Sequence, residues 1–518
     1  MNGRLLQLAG LKGIAASYHD IWGTACTASE RTLRRLLVAM HVIDSEAAGA
    51  DVIEAAITAH EDQLRRQLLP PVQVLFDDEP SWQLPINLQA AATVPDPAAL
   101  SWHIVAEDGS VSSGPAVPDR LELPAAQRPP TGYHTLSLRQ GETVLARCTL
   151  IVAPRRTYQP HALHYPGRAW GAAAQLYAVR SRRNWGIGDY SDLANLVELW
   201  GRAGAGVVGV NPLHAMFPHN PAHASPYSPS SRLFLNLQYL DVEAIADFAD
   251  CAPARELVGS AAFQSRLAAL RETELVDHVG VAEAKREALE LLYAHFRREH
   301  LARGSERSAD FDRFRRRRGK DLRRHALFEA LQAHFHRRDE QVWGWPVWPE
   351  AFRDPASDAV AAFEREQVEA VEYCEYLQWQ ADLQLGAVGR RSWELGLGVG
   401  LYVDLAVSID RAGAEAWSEQ DLYALGASVG APPDEYNPKG QNWGLPPLDP
   451  TRLRQASYAP FIATLRANMA HAGALRIDHV MALMRLFWIA PGDEASDGAY
   501  VHYAFDELLG IIALESQR

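Results

Sequence analysis

What this chain has little of narrows its function first. Four cysteines (Cys26, Cys148, Cys251 and Cys374) are spread over 518 residues, and none forms a C-x-x-C pair. Thiols so sparse fit a reducing, cytoplasmic setting and offer neither a disulfide framework nor a zinc site. No apolar run is long enough to cross a bilayer, and the first residues lack the apolar core of a secretion signal. Positive charge is also short. Fifty Lys and Arg against 64 Asp and Glu leave a formal charge of −14, which argues against general affinity for nucleic acid or anionic membrane. There is no nucleophile elbow and no serine triad order. Gly396-x-Gly398-x-Gly400 precedes a strand instead of following one, the wrong order for a dinucleotide loop. An uncharged substrate suits such a chain.

What is present is ordinary globular material, 47 % hydrophobic and 22 % charged, in a length that suggests two to four domains. Fourteen tryptophans stand out. Their faces could pack on sugar rings, or they could simply be core. Residues 1–70 read as a helical module, with Thr27 to Glu30 at capping-box spacing ahead of Leu33, Leu36, Leu37 and Met40 on one face. Residues 71–153 change to a period of two. Strands at 72–76, 102–105, 134–138 and 149–152, separated by Asp108-Gly109, Gly132 and Gln140-Gly141, predict a small β-sandwich. A connector follows from Pro154 to about Tyr165.

From residue 168 the texture is α/β, and residues 154–518 read as one catalytic domain. Strands are predicted at 172–177, 206–213, 400–405 and 474–480, with a helical insertion over about 243–395. Within it, Arg315 to Arg318 reads as a solvated helix face. In βα barrels the reacting groups sit at the C-terminal ends of strands. Asp404 and Asp478 fall there.

The heptapeptide Ala474-Leu475-Arg476-Ile477-Asp478-His479-Val480 concentrates the chemistry. On a strand, Arg476 and Asp478 share one face. A guanidinium beside a carboxylate favours the ionised acid, the form a nucleophile needs, although a structural ion pair would look the same. The proline-stiffened loop Ser225-Pro226-Tyr227-Ser228-Pro229 could hold Tyr227 as a stacking platform, or be a packed surface loop. The long connection carrying Pro432-Pro433-Asp434 and Gly440-Gln441-Asn442-Trp443-Gly444 suggests cover over a site. There Trp443 could stack on a sugar, with Asp434 and Gln441 bonding to hydroxyls. His214, His219 and His223 share one loop, but a metal site would need a further ligand and is not expected.

Taken together, Ser-Pro-Tyr at 225–227, the strand ending at Asp404, the Pro-Pro-Asp and Gly-Gln-x-Trp-Gly loop, and Arg476-Ile477-Asp478-His479 resemble the 4-α-glucanotransferase (amylomaltase) family in its long bacterial form. The resemblance covers essentially the whole chain. It implies a (β/α)8 TIM-barrel catalytic domain with helical insertions, and a retaining transfer of α-1,4-glucan segments between maltooligosaccharides or starch-like chains. It implies Asp478 as nucleophile, Arg476 as the residue that positions it, and Asp404 as the carboxylate holding the sugar at the −1 position. Tyr227 would stack on that sugar, and Trp443, Gln441 and Asp434 would belong to a lid loop that excludes water. His479, beside the nucleophile, joins the substrate-binding residues. No metal or organic cofactor is expected, and oligomeric state is not indicated. The family's acid/base glutamate lies in a Glu-Asp-Leu-Gly motif on a fifth strand, which these 518 residues lack. Only the first half of the barrel is therefore expected, with an open sheet edge and doubtful activity. A hydrolase of the same superfamily and an inactive glucan-binding fragment are the alternatives.

Overall fold

The structure is a computed structural model describing residues 2–87, 99–116, 120–164 and 166–518. Two compact units form, neither continuous in sequence. One comprises residues 1–158, 421–465 and 479–518, the other 159–420 and 466–478.

The first unit begins with helices Gly3–Leu11, Glu30–Ala39 and Ala50–Arg66. A hairpin, Ser17–His19 with Ala25–Thr27, interrupts the helical reading of residues 1–70. Because Thr27 is taken into that hairpin, the cap of the second helix is Ser29, whose hydroxyl accepts the Thr32 N–H at 3.0 Å. Glu30 accepts from Asn2 N instead of closing the predicted capping box. The β region is a five-stranded sheet ordered Val72–Phe76, Thr143–Ala153, Gly132–Gln140, Leu100–Val105 and Val111–Pro115. Its core is shared with the paired strands Trp82–Pro85 and Arg120–Leu123. Alternate residues of Leu100–Val105 are buried, as the period of two requires. Sequence reading missed Val111–Pro115, whose Ser-Ser-Gly-Pro carries no apolar alternation, and the short pair around Trp82 and Leu121.

In the second unit, strands β1 (Gly171–Ala174), β2 (Val207–Val210), β3 (Gly400–Leu405) and β4 (Ala474–Ile477) form a parallel sheet in that spatial order. All four predicted strands are present, each shorter than or equal to its expected span. β2 stops before Asn211-Pro212, where the Asn211 side chain takes the Leu176 N–H at 2.7 Å. Helix α1 (Tyr190–Arg202) connects β1 to β2 and starts at a capping box between Asp189 and Asp192. The insertion is dominated by α2 (His278–Phe296), α3 (Glu306–His336) and α4 (Val368–Glu394). Leu176, Val208, Val210, Leu401 and Val403 from the sheet region join Tyr190, Leu193 and Val197 of α1 and the insertion helices in one apolar core. The central strands β2 and β3 are mostly buried, while the edge strands β1 and β4 are partly exposed.

Glycine sets the spacing of both edge strands. A Cβ at Gly171 would lie 1.8 Å from the Val207 carbonyl, and one at Gly473 would lie 1.5 Å from the Val399 carbonyl. Half of the arginine run, Arg316 and Arg317, is exposed as expected, and the other half is not a solvated face. Arg315 pairs with buried Glu375 at 2.8 Å, Arg317 with Asp382 at 2.8 Å, and Arg318 lies over the Phe234 ring and donates to the Leu233 carbonyl. It ties α3 to α4 and to the segment after β2, because the carboxylates of α4 face it. The connector holds a 3-10 turn at His161–Leu163, and its predicted end, Tyr165, lies outside the described residues.

Candidate active site

Four side chains meet at the C-terminal ends of β3 and β4. β3 and β4 pair in parallel with Asp404 opposite Arg476, so the next residue along that face after Arg476 is Asp478. Its N–H donates to the Leu405 carbonyl at 3.0 Å, extending the ladder one residue past β4. Arg476 then bridges two acids. Nη1 donates to Asp404 Oδ2 at 2.5 Å and Nη2 to Asp478 Oδ1 at 2.9 Å. The Tyr227 hydroxyl donates to the same Asp404 Oδ2 at 2.9 Å, leaving the tyrosine ring exposed.

Asp404 is the buried member, only 4 % exposed. Burial pushes its carboxyl above the usual range, outweighing the Tyr227 and Arg476 hydrogen bonds that act the other way. Its second oxygen, Oδ1, is buried without a hydrogen-bond partner among the described residues. Arg476 is exposed. Desolvation works against its charge, yet the Asp404 carboxylate holds its guanidinium above the ordinary value. Burial and the bond to Asp404 raise the Tyr227 phenol.

The loop carrying Tyr227 is clamped by residues that sequence reading did not single out for this role. Ser228 Oγ donates to Asp410 Oδ2 at 3.2 Å, and His223 Nε2 lies 3.4 Å from the same oxygen. The bond to Asp410 raises the His223 imidazole, against the opposing effect of burial. Asp410 N in turn donates to the Pro229 carbonyl at 2.8 Å. The loop that follows β3 thereby fixes the loop that carries Tyr227. The available signal was Asp410's place just after the third strand. His214 serves elsewhere. Its Nε2 accepts the Ala406 N–H at 3.1 Å, and burial drives its imidazole down to about 3. His219 packs against the His336 ring with centroids 5.8 Å apart, so the three histidines of that loop have separate partners. Among the described residues no group of three or more His, Cys, Asp or Glu is arranged to hold a metal ion.

The remaining predicted site residues lie in the first unit. Trp443 meets His479 edge-to-face with ring centroids 5.0 Å apart, and its indole N–H donates to Gln441 Oε1 at 3.2 Å. His479 itself sits in the left-handed region at φ 46°. Asp434 Oδ1 accepts the N–H groups of Tyr436 and Asn437 at 2.8 and 2.6 Å, an internal turn contact. The predicted loop that holds these residues also contains strands Ser428–Ala431 and Gln441–Asn442, in an antiparallel sheet with Arg485–Ile489 and Ala499–His502. Glu507 is bound by Arg454 and Tyr458, and Glu515 accepts from the Tyr133 hydroxyl at 2.6 Å. These five residues also belong to the first unit.

Residues 174–518 match the family described as 4-alpha-glucanotransferase. The chain belongs to that family. Residues 68–154 match the family described as MalQ N-terminal beta sandwich domain. A 4-alpha-glucanotransferase of Haemophilus influenzae is 37 % identical over 519 residues, covering 99 % of this chain and 70 % of that protein. One of Mycobacterium tuberculosis is 36 % identical over 541 residues, with the same coverage of 99 % and 70 %. The crystal structure of amylomaltase from Corynebacterium glutamicum superposes with a TM-score of 0.83 at 31 % identity, over 99 % of this chain and 70 % of that one. Membership in the 4-alpha-glucanotransferase family makes the chain an enzyme of α/β glycoside hydrolase-type fold. Its function is glucan transfer, and the family's substrates are α-1,4-glucans.

Proposed function

We propose that the Asp404–Arg476–Asp478 cluster performs the retaining, double-displacement transfer of α-1,4-glucan segments between maltooligosaccharides. Asp478 attacks the anomeric carbon of the sugar at −1 while the bond to the leaving O4 breaks, and that oxygen takes a proton from the acid/base. The 4-hydroxyl of an acceptor glucan then attacks the glycosyl-enzyme, returns its proton to the same acid/base, and frees Asp478. A retaining reaction needs two carboxyl groups about 5 Å apart. Glu507 and Glu515 already have other partners, and the acid/base role is assigned to neither.

The single observation carrying this reading is the fork of Arg476, which fixes both acids at the strand ends. A charge-assisted bond of this kind contributes about 1.5–3 kcal/mol and holds Asp478 ready as a nucleophile. Asp404 Oδ1 supplies the second support. Leaving a buried acceptor unpaired costs about 1–3 kcal/mol, and a sugar hydroxyl donated to it removes that cost. The exposed Tyr227 ring is suited to stack on the same sugar. Trp443, Gln441 and Asp434 are assigned to the lid loop that excludes water, and His479 to substrate binding. We further assign residues 1–70, 71–153 and 154–518 to a helical module, a β-sandwich and a TIM-barrel-type catalytic domain. The four free cysteines favour a cytoplasmic enzyme.

The test uses 5-fluoro-α-maltosyl fluoride, whose fluoride leaves without protonation, so the nucleophile is read apart from the acid/base. A maltosyl-derived mass should appear on the peptide holding Asp478 and be absent in Asp478→Asn. Labelling of another carboxylate would overturn the assignment.

A further inference from the structure

Beyond the C-terminal ends of β1 and β2, the second unit holds a partly open cavity of about 110 Å³ between α2, α3, α4 and the loop that leads to Tyr227. Phe217, Pro226, Ala282, Leu289, Tyr373 and Leu377 form much of its wall. Two polar side chains one turn apart on α3, His325 and Glu329, also line it. Both are at most 5 % exposed, and His325 Nδ1 and Glu329 Oε1 have no hydrogen-bond partner among the described residues. The glucan-transfer reading uses neither.

Their protonation states define what would bind. Burial raises the Glu329 carboxyl to about 8, so at neutral pH it is mostly an uncharged acid, with one O–H to donate and a carbonyl oxygen to accept. Burial lowers the His325 imidazole to about 3, keeping it neutral. The cations in the wall are Arg286 and Lys285, the latter's ammonium already committed to the Gln238 and Leu240 carbonyls at 2.6 Å each. A positive wall repels an ammonium ligand. An apolar enclosure with a few convergent polar atoms is the usual form of a small-molecule site. A cavity of about 150 Å³ accepts benzene, so this one, at about 110 Å³, suits about four to five non-hydrogen atoms.

We infer that this cavity is a second binding site, for a small uncharged alcohol whose hydroxyl pairs with Glu329 and His325 while its hydrocarbon body fills the apolar wall. The site is separate from the glucan cluster, and its occupant would rest against Pro226, the residue before Tyr227.

Cyclobutanol is the probe, titrated into the whole chain and followed through the methyl resonances of Leu289 and Leu377. Saturable shifts at both leucines are expected. Ala282→Trp should fill the space and abolish them, and Glu329→Leu should weaken binding about tenfold, with circular dichroism checking that each variant folds. Absence of saturable shifts in the unmodified chain overturns the site, whatever the variants do. So does unchanged affinity in folded Ala282→Trp. Cyclobutylammonium binding as tightly as the alcohol overturns the ligand class. No glucan turnover enters the measurement, so its failure and that of the glucan-transfer reading are distinct.

Discussion

Arg476 does at the residue scale what no single lysine could. Its planar fork reaches Asp404 with one nitrogen and Asp478 with the other, whereas an ammonium is a point charge on a flexible stem. Arg476→Lys should therefore keep the net charge and lose the geometry. Misplacing a reacting group by about 1 Å can cost about a hundredfold in rate, and labelling by the fluoride should slow by about that factor with an unchanged melting temperature. A rate within a factor of about two of the unmodified chain would show that charge alone suffices.

This pairing was partly legible in the chain. Alternation along a strand put Arg476 and Asp478 on one face, but nothing local said that Asp404, 72 positions earlier, would share the guanidinium. That depends on β3 and β4 being neighbours in register. The same limit applies to Asp410 and His223, whose contact is set by two loops meeting in space. Arg315 and Arg318 departed from the solvated reading for the converse reason: a charge run reads as solvated until facing elements supply Glu375 and the Leu233 carbonyl.

Among the elements, the sheet that carries these acids depends on close approach at its edges. The existence of the four strands followed from apolar runs, because buried parallel strands need them, but their ends did not. The role of Gly473 did not, since a glycine before a strand also reads as a turn. Gly473→Ala would drive a methyl into the Val399 carbonyl, which immediately precedes β3. A clash with backbone has no rotamer to relieve it. Destabilisation of about 3 kcal/mol is expected, read as a lower urea midpoint. A shift under about 0.5 kcal/mol would mean that β4 can move aside without loss.

At the scale of the whole molecule, buried titratable groups of the second unit shape stability against pH. Burial holds His214 and His325 at about 3 and His219 at about 4, against 6.5 for a free imidazole. Between those values the unfolded chain binds more protons, so these three destabilise the fold as pH falls below 6.5. Glu329, raised from 4.5 to about 8, acts oppositely: the folded chain keeps a proton that the unfolded chain loses, and stability declines as pH rises between those values. From these four groups a maximum near pH 6.5 follows. Glu329→Gln should flatten the alkaline side by about 2 kcal/mol, since the decline runs from the maximum to about 8 at about 1.4 kcal/mol per pH unit, and urea midpoints from pH 5 to 9 measure it. An alkaline decline unaltered by the substitution would assign that limb to other groups.

The bridge made by Arg476 also has a consequence in charge. With both acids ionised, two carboxylates share one guanidinium and the cluster carries a net charge of −1. A neutral glucose ring gains little from that surplus, whereas a ring that becomes cationic as its glycosidic bond breaks is attracted by it. The surplus negative charge thus acts selectively on the moment of bond cleavage. A maltooligosaccharide analogue with a protonated ring nitrogen at −1 should bind at least tenfold tighter than its neutral counterpart, with the advantage shrinking in salt. Equal affinities in calorimetry would mean that the charges of the cluster are already balanced.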